Sequence, residues 1–209
     1  MIQTAFYQDA FGVRPQCALY YIGWNDISVA HMEGLDSGYS NHLRRQVDAL
    51  RARQLDLASL SISPFLKLLT RIAVAATDTV RPAKMFGPES AAPGERLEEF
   101  FLSHVSAISA INRQRGVRTL WIGQVMNLEE LAKDRGTGWI LVPDKDTWPL
   151  IERLNGLLRR EAEKLGDVYV DIPVSDFTPQ DFIDVGHFSP SGSLKFATLL
   201  APAIRKDCR

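Results

Sequence analysis

The chain has 209 residues and a mass of 23.4 kDa, enough for one domain, spanning 1–209, with a sizeable hydrophobic core. Its 24 Lys+Arg nearly balance 25 Asp+Glu for a net charge of -1, which gives no electrostatic basis for binding nucleic acid or an anionic membrane surface. The two cysteines, Cys17 and Cys208, form neither a metal-ligand spacing nor a disulfide framework; both are expected as free thiols, with Cys17 packing as a small apolar residue.

The N-terminus lacks a basic region followed by an apolar core, so no signal peptide is read and a cytoplasmic location is the expectation. Ile2 to Phe11 has the spacing of a helix tail, with Gly12 as its stop. Pro15 precedes an apolar strand from Cys17 to Ile22, which runs into the polar turn Gly23-Trp24-Asn25-Asp26. Ser40 or Asn41 is placed to cap a helix reaching about Gln54. Leu57 to Ala76 is apolar and helical in pattern. Pro64, Lys67 and Arg71 interrupt it too often for a membrane span, leaving a buried helix or a lid over a cleft. Thr77 to Gly94, with three prolines and two glycines, reads as an irregular excursion, so residues 57–94 together are expected to be a lid or insertion.

An amphipathic helix is predicted over Glu95 to Gln114, stopped by Gly116, and then an apolar strand over Val117 to Val125. The next helix is predicted over Trp148 to Leu165, with Leu154, Leu157, Leu158 and Ala162 on one face and Gly166 as its stop. A strand follows over Val168 to Ile172. Ser189 with Pro190 behind it signals the start of a last helix extending to about Ile204. Strands alternating with long helical patterns imply an α/β fold, with a parallel sheet covered by helices on both faces.

Two short motifs carry the chemistry. Asp184-Val185-Gly186-His187 sets an acid and an imidazole three residues apart, just before the last helix, so that one loop can deliver both to the carboxyl edge of the sheet. Gly23-Trp24-Asn25-Asp26 ends the first strand at that same edge. Together, in this order and with two βα units between them, they resemble the third and fifth sequence blocks of the SGNH/GDSL hydrolases, a family of serine esterases and lipases. The resemblance covers nearly the whole chain. It implies a flavodoxin-like three-layer α/β/α sandwich whose five-stranded parallel sheet has the order 2-1-3-4-5, the strands here being the third, fourth and fifth.

The same resemblance implies the roles. Serine ester hydrolysis needs a nucleophile, a base, an acid that orients the base, and donors for the oxyanion. His187 would be the base, Asp184 its orienting acid and Asn25 an oxyanion donor. Gly23 and Trp24 would line the substrate cleft, although Trp24 is equally able to serve as packing. Asp26 is read as holding the loop, Gly186 as serving a tight turn, and Gly192 as allowing close approach of the last helix. The substrate would be a small-molecule, lipid or acylated-carbohydrate ester, cleaved or transferred through an acyl-enzyme with no metal or cofactor.

The Gly-Asp-Ser nucleophile block and the following Gly block have no counterpart in this sequence. Gly34-Leu35-Asp36-Ser37-Gly38 follows no apolar strand, so Ser37 is rejected as the nucleophile. The expectation is that about sixty residues, two βα units of roughly thirty each, are missing ahead of the first strand. The chain alone would then be inactive and would expose the edge of Ala18–Ile22 to self-association. The competing reading is a catalytically silent relative that serves as a binding or assembly module. An unrelated flavodoxin-like binding domain would instead leave Asn25 and His187 far apart. His31, His42 and His104 share no paired spacing, and no Gly-rich phosphate loop occurs, so neither a metal nor a nucleotide is expected. Leu43-Arg44-Arg45 and Arg159-Arg160 read as solvated helix faces.

Overall fold

The protein is described from a computed structural model covering residues 15–27, 95–133 and 144–208, together with 4, 8, 10–13 and 142. Three strands, β1 (Cys17–Tyr21), β2 (Arg118–Ile122) and β3 (Val168–Val170), form a parallel sheet in the order β1-β2-β3. The register pairs Leu19 with Leu120 and Trp121 with Tyr169. Helices α1 (Trp24–Ile27), α2 (Glu95–Gln114), α3 (Leu128–Ala132), α4 (Asp144–Leu165) and α5 (Pro190–Asp207) surround it. The expected helices within 40–76, and the 57–94 insertion, lie outside the described residues.

Strand alternation divides the core into two halves, one on each sheet face. Trp121 of β2 points towards α2 and α4. There it joins Phe101, Val105 and Ile108 of α2 and Ile151, Leu154, Leu158 and Ala162 of α4, with Tyr20 and Tyr169 packed at the margin. Leu120, Ile122 and Val170 point the other way and meet Phe196, Leu199 and Leu200 of α5. The fold is therefore α/β with helices on both faces of a parallel sheet. Full burial of a residue such as Leu158 contributes about 2 kcal/mol. Between α2 and the sheet, Asn112 is buried but satisfied: it accepts from Gln8 Nε2 at 2.9 Å and donates to Thr119 Oγ1 and Tyr20 Oη at 3.1 Å each.

The helix ends follow their local signals. Gly116 (φ 69°) and Gly166 (φ 72°) take the left-handed conformation that stops α2 and α4. Ser189 Oγ accepts the N–H of Gly192 at 3.2 Å, and Pro190 opens α5. The helix α4 begins four residues before the expected Trp148. Its Pro149 sits inside the helix rather than in the first turn, where a missing N–H would cost nothing. The segment after Gly23 is a single helical turn rather than an open polar turn. The strands are shorter than expected, because the backbone leaves the ladder at Tyr21, Ile122 and Val170. Helix α3, capped by Asn127 through Glu130 N at 3.2 Å, carries too short an apolar run to be read from sequence.

The two cysteines are not free thiols: Cys17 and Cys208 form a disulfide, with Cα atoms 5.3 Å apart. The reason is topological. Helix α5 starts at the carboxyl edge of the sheet and runs back along it, so its C-cap Cys208 arrives at the amino end of β1, where Cys17 faces the same layer. A spacing of 191 residues carries no trace of that juxtaposition. Among the described residues β1 pairs with β2 alone, and Leu19 is 39% exposed.

Candidate active site

The loop between β3 and α5 is held from below by rings. Phe188 stacks on Phe182 and Phe177, with centroids 5.2 and 5.3 Å away, and packs against Phe196 at 4.9 Å. Tyr21, the last residue of β1, lies 6.1 Å from Phe188. An antiparallel bridge joins Phe182 to Phe188, and the N–H of Ile183 donates to the carbonyl of His187 at 2.9 Å. Ahead of the loop, buried Asp181 accepts from the Thr178 backbone N–H at 2.8 Å and from Lys195. The Lys195 ammonium, then the Thr178 N–H, hold its carboxyl below the usual range. Gly192 lets α5 close on this segment, because a Cβ there would sit 1.9 Å from the Asp181 carbonyl oxygen.

On this support the five residues 183–187 form a short exposed loop. Asp184 Oδ1 accepts the N–H groups of Gly186 and His187, both at 2.8 Å, while Oδ2 lies 2.8 Å from His187 Nδ1. A carboxylate facing Nδ1 favours the neutral tautomer with its proton on that nitrogen, in which Nε2 is the acceptor. Partial desolvation pushes the Asp184 pKa up, but the two backbone donors and the imidazole outweigh it, and the net direction is down. The pair is open to solvent, with the His187 side chain 66% and the Asp184 side chain 49% exposed. A cleft of about 180 Å³ opens beside Asp184, walled by Asn127, Lys133, Phe182 and Ile183.

The other motif lies at the same edge. Gly23 (φ 128°) turns the chain out of β1 through a conformation that favours glycine, and α1 begins at Trp24. The Trp24 indole comes under the Asp184–His187 loop, where a Cβ on Gly186 would meet its Cε2 at 3.8 Å. Asn25 is exposed on this turn, next to Trp24. Asp26 belongs to the same turn, and its backbone N–H donates to the Gly23 carbonyl at 3.2 Å. Gly23, Trp24 and Asn25 thus share the carboxyl edge with Asp184 and His187. Gly186 is not forced by its surroundings: its φ lies outside the left-handed region, and an added Cβ would make only ordinary contacts.

Sequence reasoning missed the residues that tie the edge together. Tyr21 Oη donates to the Val125 carbonyl at 3.2 Å and accepts the Val125 N–H at 3.1 Å, fastening β1 to the segment after β2. Burial drives its pKa up to about 12, against the lowering pull of the Val125 hydrogen bond. The N–H of Asn127 donates to the Val185 carbonyl at 3.0 Å, linking α3 to the loop. The phenylalanines at 177, 182, 188 and 196 have no period in the sequence that would assign them to one cluster.

Among the described residues no group of three His, Cys, Asp or Glu side chains could hold a metal ion, and no helix is long and apolar enough to cross a membrane. No family model matches the chain, and no curated protein matches it. Among solved structures it is similar to a GDSL-like lipase from Bacteroides thetaiotaomicron VPI-5482, with 14% identity and a TM-score of 0.41. That match covers 52% of this chain and 53% of the other, so the likeness spans about half of the lipase.

Proposed function

We infer that Asp184 and His187 are the acid–base half of a serine ester hydrolase of the SGNH/GDSL type, with Asn25 as an oxyanion donor. The carrying observation is the Asp184 carboxylate, fixed by two backbone N–H groups and set 2.8 Å from His187 Nδ1, with the imidazole exposed at the carboxyl edge of a parallel sheet. In this reading Nε2 takes the proton of a serine hydroxyl as its oxygen attacks the ester carbonyl. The tetrahedral oxyanion is met by the Asn25 amide, a contribution of about 2.7–4 kcal/mol for one such donor. The imidazolium, stabilised by Asp184, then protonates the departing alkoxide, and water hydrolyses the acyl-enzyme with His187 again as base. Gly23 and Trp24 would form part of the substrate wall. The substrate is a small-molecule ester.

The serine is the open element. Among the described residues no hydroxyl is hydrogen-bonded to His187 Nε2. The second reading is a silent relative that keeps the fold and binds rather than reacts. A fluorophosphonate probe, which labels only activated serines, separates the two when applied to the protein isolated from its native host. Labelling of a serine that disappears in His187→Ala supports the hydrolase. A protein that neither labels nor cleaves aryl acetate esters is the binding module.

A further inference from the structure

A second concavity lies at the same sheet edge, and none of the residues discussed above as catalytic lines it. It has a volume of about 530 Å³, within the range of small-molecule sites, and opens between α4, the end of β3 and the segment 173–175. Crevices at the carboxyl ends of parallel strands are where open α/β sheets bind ligands.

Its walls are built in advance. The Asn155 amide donates to the Gln124 carbonyl and accepts the Gln124 N–H, both at 2.9 Å, locking α4 to the segment after β2. A Cβ on Gly123 would fall 2.3 Å from Tyr169 Oη and 3.0 Å from Asn155 Cγ, so both side chains would have to shift to admit one. Arg159 is not merely a solvated helix residue: its guanidinium lies 5.0 Å over the Tyr169 ring and pairs with Asp171. Burial lowers its pKa, but the Asp171 carboxylate and Tyr169 outweigh that and hold it above its ordinary value.

The floor is informative. Gly156 sits inside α4 on the stripe that also presents Glu152 and Arg160, and glycine in a helix interior costs about 1 kcal/mol relative to alanine. Neither φ nor packing requires it, because an added Cβ would meet only Arg160 Nη1 at 3.5 Å. What the missing side chain does provide is room in the cavity.

The lining also selects. Two guanidiniums, Arg159 and Arg160, are matched by two carboxylates, Glu152 and Asp171, so the site offers no net charge to an ion. It does offer planar groups that can donate or accept through two atoms at once, which suits adjacent hydroxyls. Trp148 adds an aromatic wall that suits an apolar C–H face. We propose that this cavity binds a neutral polyhydroxylated ligand, a sugar unit. The proposal does not rest on the hydrolase reading. Gln124 of this lining also neighbours Gly23, its Cγ lying 3.4 Å from the position of a Gly23 Cβ.

The test is saturation-transfer NMR and calorimetry on the full chain, with methyl glucoside and N-acetylglucosamine as probes and inorganic phosphate and acetate as ionic controls. The expected result is transfer to the ring protons of at least one sugar, with affinity reduced about tenfold or more in both Gly156→Leu and Arg160→Ala. Gly156→Leu raises helix propensity, so its Tm should not fall, and Arg160→Ala alters an exposed side chain. Absence of sugar binding, sugar binding undiminished in both variants, or a preference for phosphate or acetate would each overturn the proposal. The readout is binding, so a failure here is distinguishable from a failure of ester hydrolysis.

Discussion

Gly186 lies against the indole of Trp24: a Cβ added to the glycine would sit 3.8 Å from Trp24 Cε2 and 3.6 Å from Met126 Cε. Motifs from opposite ends of the chain therefore share one surface, at a separation that leaves room for one methyl group. Gly186→Ala should change stability by no more than about 0.5 kcal/mol. Gly192→Ala should behave differently, because its Cβ would collide with the Asp181 carbonyl at 1.9 Å, where backbone rather than a flexible side chain must yield. A loss of roughly 3 kcal/mol or more is expected. Paired urea titrations of the two variants check this, and equal midpoints would contradict it.

Asp184→Asn keeps an oxygen that can accept from Gly186 and His187 but removes the carboxylate that orients the imidazole. If the pair is catalytic, kcat should fall by about 10⁴ while thermal stability hardly moves. Because the folded pKa of Asp184 is depressed, its contribution to the loop is present above the ordinary carboxylate value and is lost as pH falls through the lower folded value. NMR titration of the His187 ring protons should register that step in the wild type and not in Asp184→Asn.

Tyr21 gives an alkaline counterpart. Its folded pKa of about 12 lies above the ordinary tyrosine value, so the folded state retains a proton that the unfolded chain has already released. The associated stability is complete below pH 10 and is lost as pH rises towards 12, by about 3 kcal/mol at most. Comparing the pH dependence of unfolding for wild type and Tyr21→Phe isolates this slope, and identical slopes would refute the assignment.

The disulfide should be visible as a protein mass lower by two hydrogens than the reduced chain, and as faster migration without reductant. Cross-linking residues so distant in sequence stabilises by about 5 kcal/mol in the chain-entropy view, with measured cases more often 2–4. Cys17→Ser with Cys208→Ser should therefore lower the denaturation midpoint markedly. Such bonds persist in oxidising compartments. Recovery of the native protein only as the dithiol would count against the pairing.

Much of the architecture was legible because its signals are local. The boundaries of α2 were read from periodicity and Gly116, and the start of α5 from Ser189 and Pro190, since caps and stops act within one turn. The alternation of strand and helix sufficed for a parallel sheet covered on both faces. The proposed acid and base were legible for the same reason: Asp184 and His187 meet within a single loop.

What the sequence by itself determined was therefore the α/β class, both limits of α2, the end of α4, the start of α5 and the nearness of Asp184 to His187 within one loop. Tertiary structure decided everything that depends on return paths of the chain: the Cys17–Cys208 bond, the clasp of Tyr21 on Val125, and the recruitment of Arg159 by Tyr169 and Asp171. Local propensity extends over a few residues, whereas these contacts are set by where a helix running back along the sheet comes to rest. Nothing in the spacing of the residues encodes that position.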